Sequence, residues 1–364
     1  MFFTADKRFH RQRRRIISPA FSVKYLNSLE IYMLSANEAF VQRIDKDIKR
    51  TNNLTTGGYG EVDIWKLLNY LILDIIGETA FGQTFELLEK DNDHIVPRTV
   101  SRTIETISYF MEKIIMDRLQ GGEKARRNDI LQILIDSQKS TNKHDRLTVD
   151  AIAQETIIFL VAGSETTSNT IGFALIELLR NPHAFVALRK EIDSVQQQSD
   201  GSAALGTLLC HKELKSLPYL NAVIYESMRL NFIAPSGMER RADKDMVLGG
   251  RVFVPQGTFI QCNPYGAQRD PGYWPEPSKF KPERWINGSD APADHEAFFP
   301  FSTGSRKCIG NTFALHEMLI TLANLVKLYD FRAIPAELEA SNERRAFVTL
   351  TLKNRSFKVQ MKRR

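Results

Sequence analysis

The chain has 364 residues, of which 43% are hydrophobic and 25% are charged, with 20 glycines and 14 prolines. This is the composition of a globular protein, and it excludes a disordered, collagen-like or disulfide-stapled chain. The formal net charge is +6, and much of the excess lies in residues 1–15, which suits an acidic partner, an anionic ligand or a membrane surface without choosing among them.

Helical periodicity dominates the first 230 residues. Apolar residues recur at three- and four-residue spacing in residues 62–81, 130–137, 149–179 and 217–230. Thr148 and Asp150 are candidate N-caps for the long helix that begins near residue 149. The Asn181-Pro182 pair is expected to end that helix.

The second part of the chain changes character. Residues 246–254 predict a hairpin around Gly249-Gly250, and residues 258–262 predict a strand. Residues 255–300 hold eight of the 14 prolines, which favours an irregular loop region. A helix over 309–328 and a pair of strands within 346–361 follow. The sequence therefore predicts a mainly α fold with small β-sheets.

The cysteine count and the hydropathy limit the location of the chain. Cys210, Cys262 and Cys308 are too few and too scattered for a disulfide framework, which favours a reducing or cytosol-facing environment. No run reaches the roughly 18–20 apolar residues of a membrane span, and no signal peptide precedes the arginine-rich start. We expect no transmembrane segment in this chain and a soluble or peripheral protein.

The densest chemical signal is the segment from Phe301 to Gly310, which reads F-S-T-G-S-R-K-C-I-G. Cys308 lies where a helix begins, and helix N–H groups and the dipole stabilise a thiolate. Gly304 and Gly310 let the backbone approach closely and direct N–H groups at the sulfur, and Arg306 supplies a cation. A lone cysteine near glycines is usually a buried structural thiol, but the complete spacing predicts a thiolate site.

This segment resembles the haem-binding loop of the cytochrome P-450 family, F-x-x-G-x-R-x-C-x-G, at every defined position. The resemblance implies the cytochrome P-450 fold over a single haem-thiolate domain, residues 1–364, with haem b (iron protoporphyrin IX) as cofactor. It implies that Cys308 is the axial iron ligand and that Phe301, Gly304 and Arg306 belong to the cofactor site. A thiolate ligand pushes electron density onto the iron and favours O–O cleavage.

Two further segments resemble a structural network of the family. Glu226-Ser-Met-Arg229 matches E-x-x-R, and its spacing puts both charged side chains on one helix face. Arg284, in a K-P-E-R-W segment, resembles the arginine of the family's P-E-R-F stretch. Such a pair alone is usually a solvated surface bridge, but the largely apolar helix around it favours burial. The resemblance implies a Glu–Arg–Arg network with a structural role.

The segment from Ala162 to Thr167, A-G-S-E-T-T, lies in the middle of the longest predicted helix. Glycine and adjacent threonines are poor central helix residues, so the helix is expected to be disturbed there. It either makes room for a ligand or water, or forms a bent helix with a Ser/Thr-lined kink. The segment resembles the family's A-G-x-D/E-T-T/S motif, which implies that Thr166 hydrogen-bonds the activated oxygen and that Glu165 relays protons.

Basic residues complete the expected cofactor site. His10-Arg-Gln-Arg-Arg14 resembles the family's W-x-x-x-R helix with histidine in place of tryptophan, and Arg240 stands where the family has a propionate-binding arginine. The resemblance implies that His10, Arg14 and Arg240 contact haem propionates. A second helix face, suited to an acidic redox partner, carries Arg8, Arg11 and Arg15. The alternative for this stretch is a solvated basic tail or one that binds polyanions.

The chain departs from the family in two places. It starts at the third major helix, so the membrane anchor, the first helices, the leading strands and the loop before His10 are expected to be absent. The region of about residues 86–128 is short for the helix pair that roofs the pocket. We therefore expect either a truncated or misspliced product, or a chain that binds haem with an open pocket. An open pocket would admit water and weaken control of reactive oxygen intermediates.

These motifs predict a monooxygenase that inserts one oxygen atom of O₂ into a small apolar substrate. Electrons would come from NADPH through a reductase that docks near Cys308. Small or apolar residues are expected to form the substrate pocket: Phe159, Ala162, Ala234, Pro235 and Ser236. The alternatives are a haem-thiolate isomerase, dehydratase or peroxygenase, and a truncated, non-catalytic haem-binding remnant.

The resemblance is to the eukaryotic, membrane-associated class of the family. It implies, for the full-length type, a location on the cytosolic face of the endoplasmic reticulum membrane. It also implies a monomer that acts in secondary metabolism and has no nucleic-acid partner.

Overall fold

The computed structural model describes residues 6–52, 57–90, 104–195, 208–237, 239–286, 288–290, 292–346 and 348–364. The helices are α1 (Lys7–Ile17), α2 (Val23–Thr51), α3 (Ile64–Phe81), α4 (Leu87–Lys90), α5 (Ile104–Gly121), α6 (Ile130–Asp136), α7 (Val149–Arg180), α8 (Pro182–Asp193), α9 (His211–Leu214), α10 (Pro218–Leu230), α11 (Pro264–Ala267), α12 (Asn311–Leu328) and α13 (Pro335–Ala340). The strands are β1 (Gly60–Asp63), β2 (Glu239–Arg241), β3 (Met246–Leu248), β4 (Val252–Val254), β5 (Phe259–Gln261), β6 (Tyr329–Ala333), β7 (Arg344–Ala346), β8 (Leu350–Leu352) and β9 (Lys358–Arg363). The mainly α prediction is confirmed.

Helix α7 forms the centre of the core and packs against α3, α5, α10 and α12. The contact with α3 is close because Gly172 has no side chain: a Cβ there would lie 2.7 Å from the Trp65 ring. Trp65 in turn meets the Phe173 ring edge-on, with centroids 5.1 Å apart. The burial of these large rings stabilises the packing of α3 on α7.

The predicted start of α7 is confirmed for one of the two candidate caps. The Thr148 side chain accepts the Ala151 N–H at 3.2 Å, so Thr148 is the N-cap. Asp150 lies inside the first turn, where a carboxylate favours the positive end of the helix dipole instead.

Asn181 ends α7, as predicted, and Pro182 is the first residue of α8. The axes of α7 and α8 bend by 113° at this junction. Within the described residues, no single helix has both the length and the apolar composition to cross a membrane, and only α7 and α8 taken together meet that test.

The prediction of helix from residue 62 is wrong by two residues. Val62 and Asp63 belong to β1, which pairs antiparallel with β9. Helix α3 begins only at Ile64, where the Asp63 carboxylate accepts the Lys66 N–H at 3.1 Å as an N-cap. The partner strand lies almost 300 positions away, so local periodicity could not reveal it.

The small sheets combine predicted and unpredicted pairings. Strands β3 and β4 form the predicted hairpin, in which Gly249 and Gly250 have φ of 55° and 68°, a region that favours glycine. The tail holds three strands rather than two: β7 pairs with β8, whereas β9 lies between β1 and β6. The strand predicted at 258–262 is β5, which pairs with β2.

The region predicted to be shortened, about residues 86–128, is described in part. Residues 91–103 lie outside the described residues. Helix α5 follows, and Arg118 near its end donates to Asp129 at 2.8 Å and to the Phe81 carbonyl at 2.8 Å. These buried bonds join α5 to the end of α3.

A buried carboxyl group joins α3 to α4. Asp74 is 4% exposed, and its oxygens accept the N–H groups of Leu87 and Leu88, each at 3.2 Å. Burial nevertheless raises the pKa of Asp74 to about 6, because it disfavours the charged form more than the two N–H groups favour it.

The raised pKa of Asp74 predicts a pH-dependent stability. The contribution is fully present below the unfolded-state pKa, near 3.8, and is lost as the pH rises through about 6, because the folded state holds the proton more tightly. Two pKa units correspond to about 3 kcal/mol. Relative to Asp74→Asn, which cannot ionise, the parent should lose about this much unfolding free energy between pH 4 and pH 7. Urea denaturation measures the difference, and parallel curves for the two proteins would contradict the prediction.

Candidate active site

The loop that carries Cys308 is a closed turn between the proline-rich region and α12. The Cys308 N–H donates to the Phe301 carbonyl at 2.8 Å, and residues Gly304–Arg306 form a single 3₁₀ turn. Gly304 has φ 73°, a conformation that requires glycine or strains another residue. Among the described residues, no atom lies within 4 Å of the point that a Cβ at Gly304 would occupy, so this side of the loop is accessible.

Burial and local polar groups act on the Cys308 sulfur in opposite directions. Burial raises the pKa of the Cys308 thiol, whereas the Gly310 N–H at the sulfur and the charge of Arg14 lower it to a smaller extent. Helix α12 begins at Asn311 with Gly310 as its N-cap, so Cys308 just precedes the helix. In the loop alone, burial therefore outweighs the groups that the sequence analysis expected to stabilise the thiolate, whereas a coordinated metal would favour deprotonation.

Helix α1 closes the loop from one side. The Arg14 guanidinium donates to the Lys307 carbonyl at 2.7 Å, next to Cys308. Ile17 on the same face is fully buried, which anchors the helix. Three further basic residues lie on the exposed face, as the helical wheel predicted: Arg8, Arg11 and Arg15.

The basic residues expected to contact propionates lie in one region. Burial lowers the pKa of His10, and the positive charges of Arg306, Arg14 and Arg240 lower it further. Three guanidinium groups thus act on a single imidazole. Such a concentration of positive charge suits an anionic ligand with carboxylate groups.

An apolar contact joins the cysteine loop to α7. The Phe21 ring lies 3.7 Å from the point that a Cβ of Gly310 would occupy, and its centroid is 6.0 Å from that of Phe159 on α7. Beyond Phe159, residues 161–163, 165 and 166 of α7 are partly or largely exposed, whereas residues 167–178 are buried. Residues 161–163, 165 and 166 therefore form an accessible stretch in the middle of a core helix.

Gly163 has a different role from the one that the sequence suggested. A Cβ at Gly163 would lie 2.7 Å from the Ile76 side chain, so the glycine permits close packing of α7 on α3. Helix α7 stays continuous through this segment. Thr166 and Thr170 each donate to the carbonyl four residues earlier, both at 2.7 Å, a bonding pattern that bends helices.

The acid and the alcohol of this segment have separate partners in the structure. The Thr166 hydroxyl donates to the Ala162 carbonyl at 2.7 Å. The Glu165 carboxylate accepts the Thr349 hydroxyl at 2.9 Å. Thr349 lies in the hairpin formed by β7 and β8, and no pattern in the sequence indicated that this hairpin reaches α7.

Glu226, Arg229 and Arg284 meet in a fully buried network. Arg229 donates to both Glu226 oxygens, at 2.8 and 2.9 Å, and Arg284 donates to one of them at 3.0 Å. The backbone N–H of Lys281 and the indole N–H of Trp285 complete the shell of Glu226, at 2.9 and 3.0 Å. The family resemblance had implied that the three charged residues meet, but the indole of Trp285 was not expected.

Trp285 extends this network towards the cysteine loop. Its ring centroid lies 4.5 Å from that of Phe298, three residues before Phe301. Arg229 also donates to carbonyls of the proline-rich region, at Gln268 and Pro277. The network therefore holds α10, the proline-rich region and the approach to Cys308 in one arrangement.

The remaining candidate pocket residues lie on a segment after α10. Ala234 and Pro235 are partly buried, whereas Ser236 is exposed and its carbonyl accepts the Gln261 side-chain amide. Ile233 accepts the Leu350 N–H at 2.8 Å, so this segment borders the β7–β8 hairpin.

The sequence analysis did not identify one fully buried acid, Glu317. Glu317 of α12 is 1% exposed, and burial raises its pKa well above the ordinary value, with the Thr167 hydroxyl as the polar neighbour that opposes the rise. Glu317 therefore places a buried acid, with a raised pKa, at the contact of α12 with α7. A charge inside an otherwise apolar helix was the signal that could have identified it.

The donor set fits a metal complex with a flat apolar body and acidic substituents. A partly buried thiol with a backbone N–H at its sulfur suits a metal ligand. The cationic group of His10, Arg14, Arg240 and Arg306 suits carboxylates, and the accessible stretch of α7 provides an apolar wall. A haem has these three features.

Comparisons with known proteins agree with this geometry. A family model described as Cytochrome P450 matches residues 1–100 and 94–361. The chain is 31% identical over 382 residues to the cytochrome P450 monooxygenase LUC2 of Fusarium sp, covering 99% of this chain and 72% of that protein. It is 29% identical over 362 residues to the cytochrome P450 monooxygenase acrD of Aspergillus aculeatus, covering 92% and 70%. A crystal structure of a cytochrome P450 (CYP102L1) shares the fold, with a TM-score of 0.82, 24% identity, and coverage of 100% of this chain and 80% of that chain.

The network around Glu226 predicts that replacing one carboxylate oxygen by an amide group will strongly lower the stability of the fold. Glu226→Gln removes the negative charge between two buried guanidinium groups, which should lower the unfolding free energy by about 3–5 kcal/mol. Glu283→Gln is the matched control, because Glu283 directly precedes Arg284 in the chain but is exposed, and it should cost less than about 1 kcal/mol. Urea denaturation of both variants tests this, and equal losses would contradict the network's importance.

Proposed function

Because the chain belongs to the cytochrome P450 family, we propose that it is a haem-thiolate monooxygenase, which inserts one oxygen atom of O₂ into a small apolar substrate. The family match and the relatives named monooxygenases support the reaction class. The observation that carries the proposal is the Cys308 loop, in which the Gly310 N–H lies at the sulfur and Arg14 holds the neighbouring carbonyl.

The cofactor is haem b, which this chain holds at the iron and at the propionate groups. Cys308 is the iron ligand, and Phe301, Gly304 and Arg306 shape the loop around it. His10, Arg14, Arg240 and Arg306 bind the propionate groups, whose negative charge complements the positive charge of this cluster. When bound, a thiolate-ligated haem supplies the chemistry of O–O cleavage.

The chain's own residues supply protons and exclude water. Glu165 holds or passes a proton on the accessible stretch of α7, and Thr166 orients hydrogen bonds beside it. Phe159 and Ala162 on α7, with Ala234, Pro235 and Ser236 on the segment after α10, bind the apolar substrate. Glu226, Arg229 and Arg284 act on the reaction only by holding the loop in place.

The electron donor is an NADPH-dependent reductase. The exposed face of α1, with Arg8, Arg11 and Arg15, lies on the same helix as Arg14, which contacts the cysteine loop. Positive charge at this face attracts an acidic partner and speeds its association. Electron transfer should therefore slow with rising salt, since exposed charges are screened.

Membership of the family also suggests the domain organisation, the oligomeric state, the cellular location and the biological role of the protein. We propose that residues 1–364 act as one haem-thiolate domain and as a monomer. We also propose that the enzyme works in secondary metabolism on the cytosolic face of the endoplasmic reticulum. The relatives reported above are named monooxygenases, which favours this reaction over that of an isomerase, a dehydratase or a peroxygenase and over a non-catalytic remnant.

A reduced carbon-monoxide difference spectrum tests the iron ligand. The haem-loaded parent should give the thiolate-type Soret band, and Cys308→Ser should lose it because the sulfur ligand is gone. Cys262→Ser is the matched control, since Cys262 is an exposed free cysteine, and its spectrum should equal that of the parent. Identical spectra for the parent and Cys308→Ser would overturn the assignment.

Turnover separates the reaction classes. With NADPH and a reductase, the parent should convert an apolar substrate to a product that carries one oxygen atom from ¹⁸O₂. Product formation with peroxide but not with NADPH and reductase would instead indicate a peroxygenase. Haem binding without product under either condition would indicate a remnant.

A further inference from the structure

We propose that Thr349 is a positioning residue for the Glu165 carboxylate, and that the hairpin carrying Thr349 thereby sets how efficiently protons reach the Thr166 site. The proposal rests on the proposed monooxygenase function. It extends that function to a residue 184 positions away from Glu165 in the chain.

The first support is the direct contact. The Thr349 hydroxyl donates to Glu165 Oε2 at 2.9 Å, a normal distance for such a bond. Both residues are partly exposed, so the pair lies between the packed core and the accessible stretch of α7. A hydroxyl that donates to a carboxylate fixes the direction in which that carboxylate points.

The second support is helix geometry. Adjacent residues on a helix point about 100° apart and do not face each other. Thr166 is bonded to Ala162 within the helix, whereas Glu165 is turned to the hairpin. Glu165 can serve Thr166 only through a water molecule or after its side chain turns, and Thr349 determines both the starting position and the freedom to turn.

The third support is the attachment of the hairpin to α7. Asn169, one turn after Glu165 on the same helix face, donates to the Leu350 carbonyl at 3.1 Å. The Leu350 N–H donates to the Ile233 carbonyl at 2.8 Å. Residue Thr349 is thus held next to an anchored residue, so the position of its hydroxyl is defined by the fold.

The same attachment links Thr349 to the pocket. Ile233 directly precedes Ala234 and Pro235, the proposed pocket wall. On the other side of Thr349, Val348 is 59% exposed at the end of the hairpin. A substrate that shifts the 233–235 segment would shift the hairpin, and with it the donor that holds Glu165.

The central experiment compares variants of the haem-loaded full chain by coupling, the fraction of consumed NADPH recovered as product. Thr349→Val removes the hydroxyl at nearly constant shape and should lower coupling roughly fivefold, the scale of one net hydrogen bond. Thr349→Ser restores the donor and should recover coupling to within twofold of the parent, the low end of that scale. Thr351→Val, on the same hairpin opposite Arg345, is the matched control and should behave as the parent does.

A double-variant cycle separates positioning from a general structural role. If Thr349 acts through Glu165, Thr349→Val should cause no further loss of coupling in a Glu165→Ala background. A further loss there would overturn the proposal. So would equal effects of Thr349→Val and Thr351→Val, or a Thr349→Ser variant as impaired as Thr349→Val.

Amide hydrogen exchange of residues 348–352 tests the contact without turnover. Thr349→Val and Glu165→Ala should each speed exchange there, and the double variant should exchange no faster than either. Exchange equal to that of the parent in both single variants would overturn the proposal, whatever the coupling of those variants. A parent that forms no product would instead contradict the monooxygenase function while the exchange result still decides whether Thr349 holds Glu165.

Discussion

One buried carboxylate, that of Glu226, holds α10, the proline-rich region and the approach to Cys308 in one arrangement. Glu226 accepts two bonds from Arg229, one from Arg284, one from a backbone N–H and one from the Trp285 indole. A buried charge is tolerable only when it is paired and fully hydrogen-bonded. Because the donors come from α10 and from the proline-rich region, satisfying this carboxylate also determines the path of residues 268–285. The aromatic contact of Trp285 with Phe298 passes that constraint on to the cysteine loop.

Burial has a different effect in the cysteine loop from the one that it has at Glu226. At Glu226 the surrounding donors fully compensate the buried charge, whereas at Cys308 burial outweighs the Gly310 N–H and the Arg14 charge. The Cys308 thiol lies near the positively charged cluster of His10, Arg14, Arg240 and Arg306. A single ligand that brings both a metal ion and carboxylates can contact the thiol and the cluster together, which is why the donor set fits haem.

Local sequence patterns predicted the elements well, and distant pairings poorly. The long helix α7, its Thr148 cap and the Gly249-Gly250 hairpin follow from periodicity and turn chemistry within a few residues. The meeting of Glu226 with Arg284 was expected only through a family resemblance, since 58 positions separate them. Pairing of β1 with β9, the indole bond of Trp285 and the Thr349–Glu165 contact arise from tertiary packing, for which neither residue carries a local signal. Burial also raises the pKa of the Cys308 thiol, where the sequence analysis had expected a stabilised thiolate. The sequence alone does not show how deeply a side chain is buried.

The central position of β9 in its sheet has a consequence for how the chain is made. Strand β1 has its partner β9 about 300 residues later, and β6 also pairs with β9. At a synthesis rate of about 5–20 residues per second, β1 waits roughly 15–60 s on the ribosome with an unsatisfied edge. Such an edge is a template for pairing with other nascent chains. Helper proteins that shield strand edges during translation should therefore raise the yield of folded protein more than they raise its final stability.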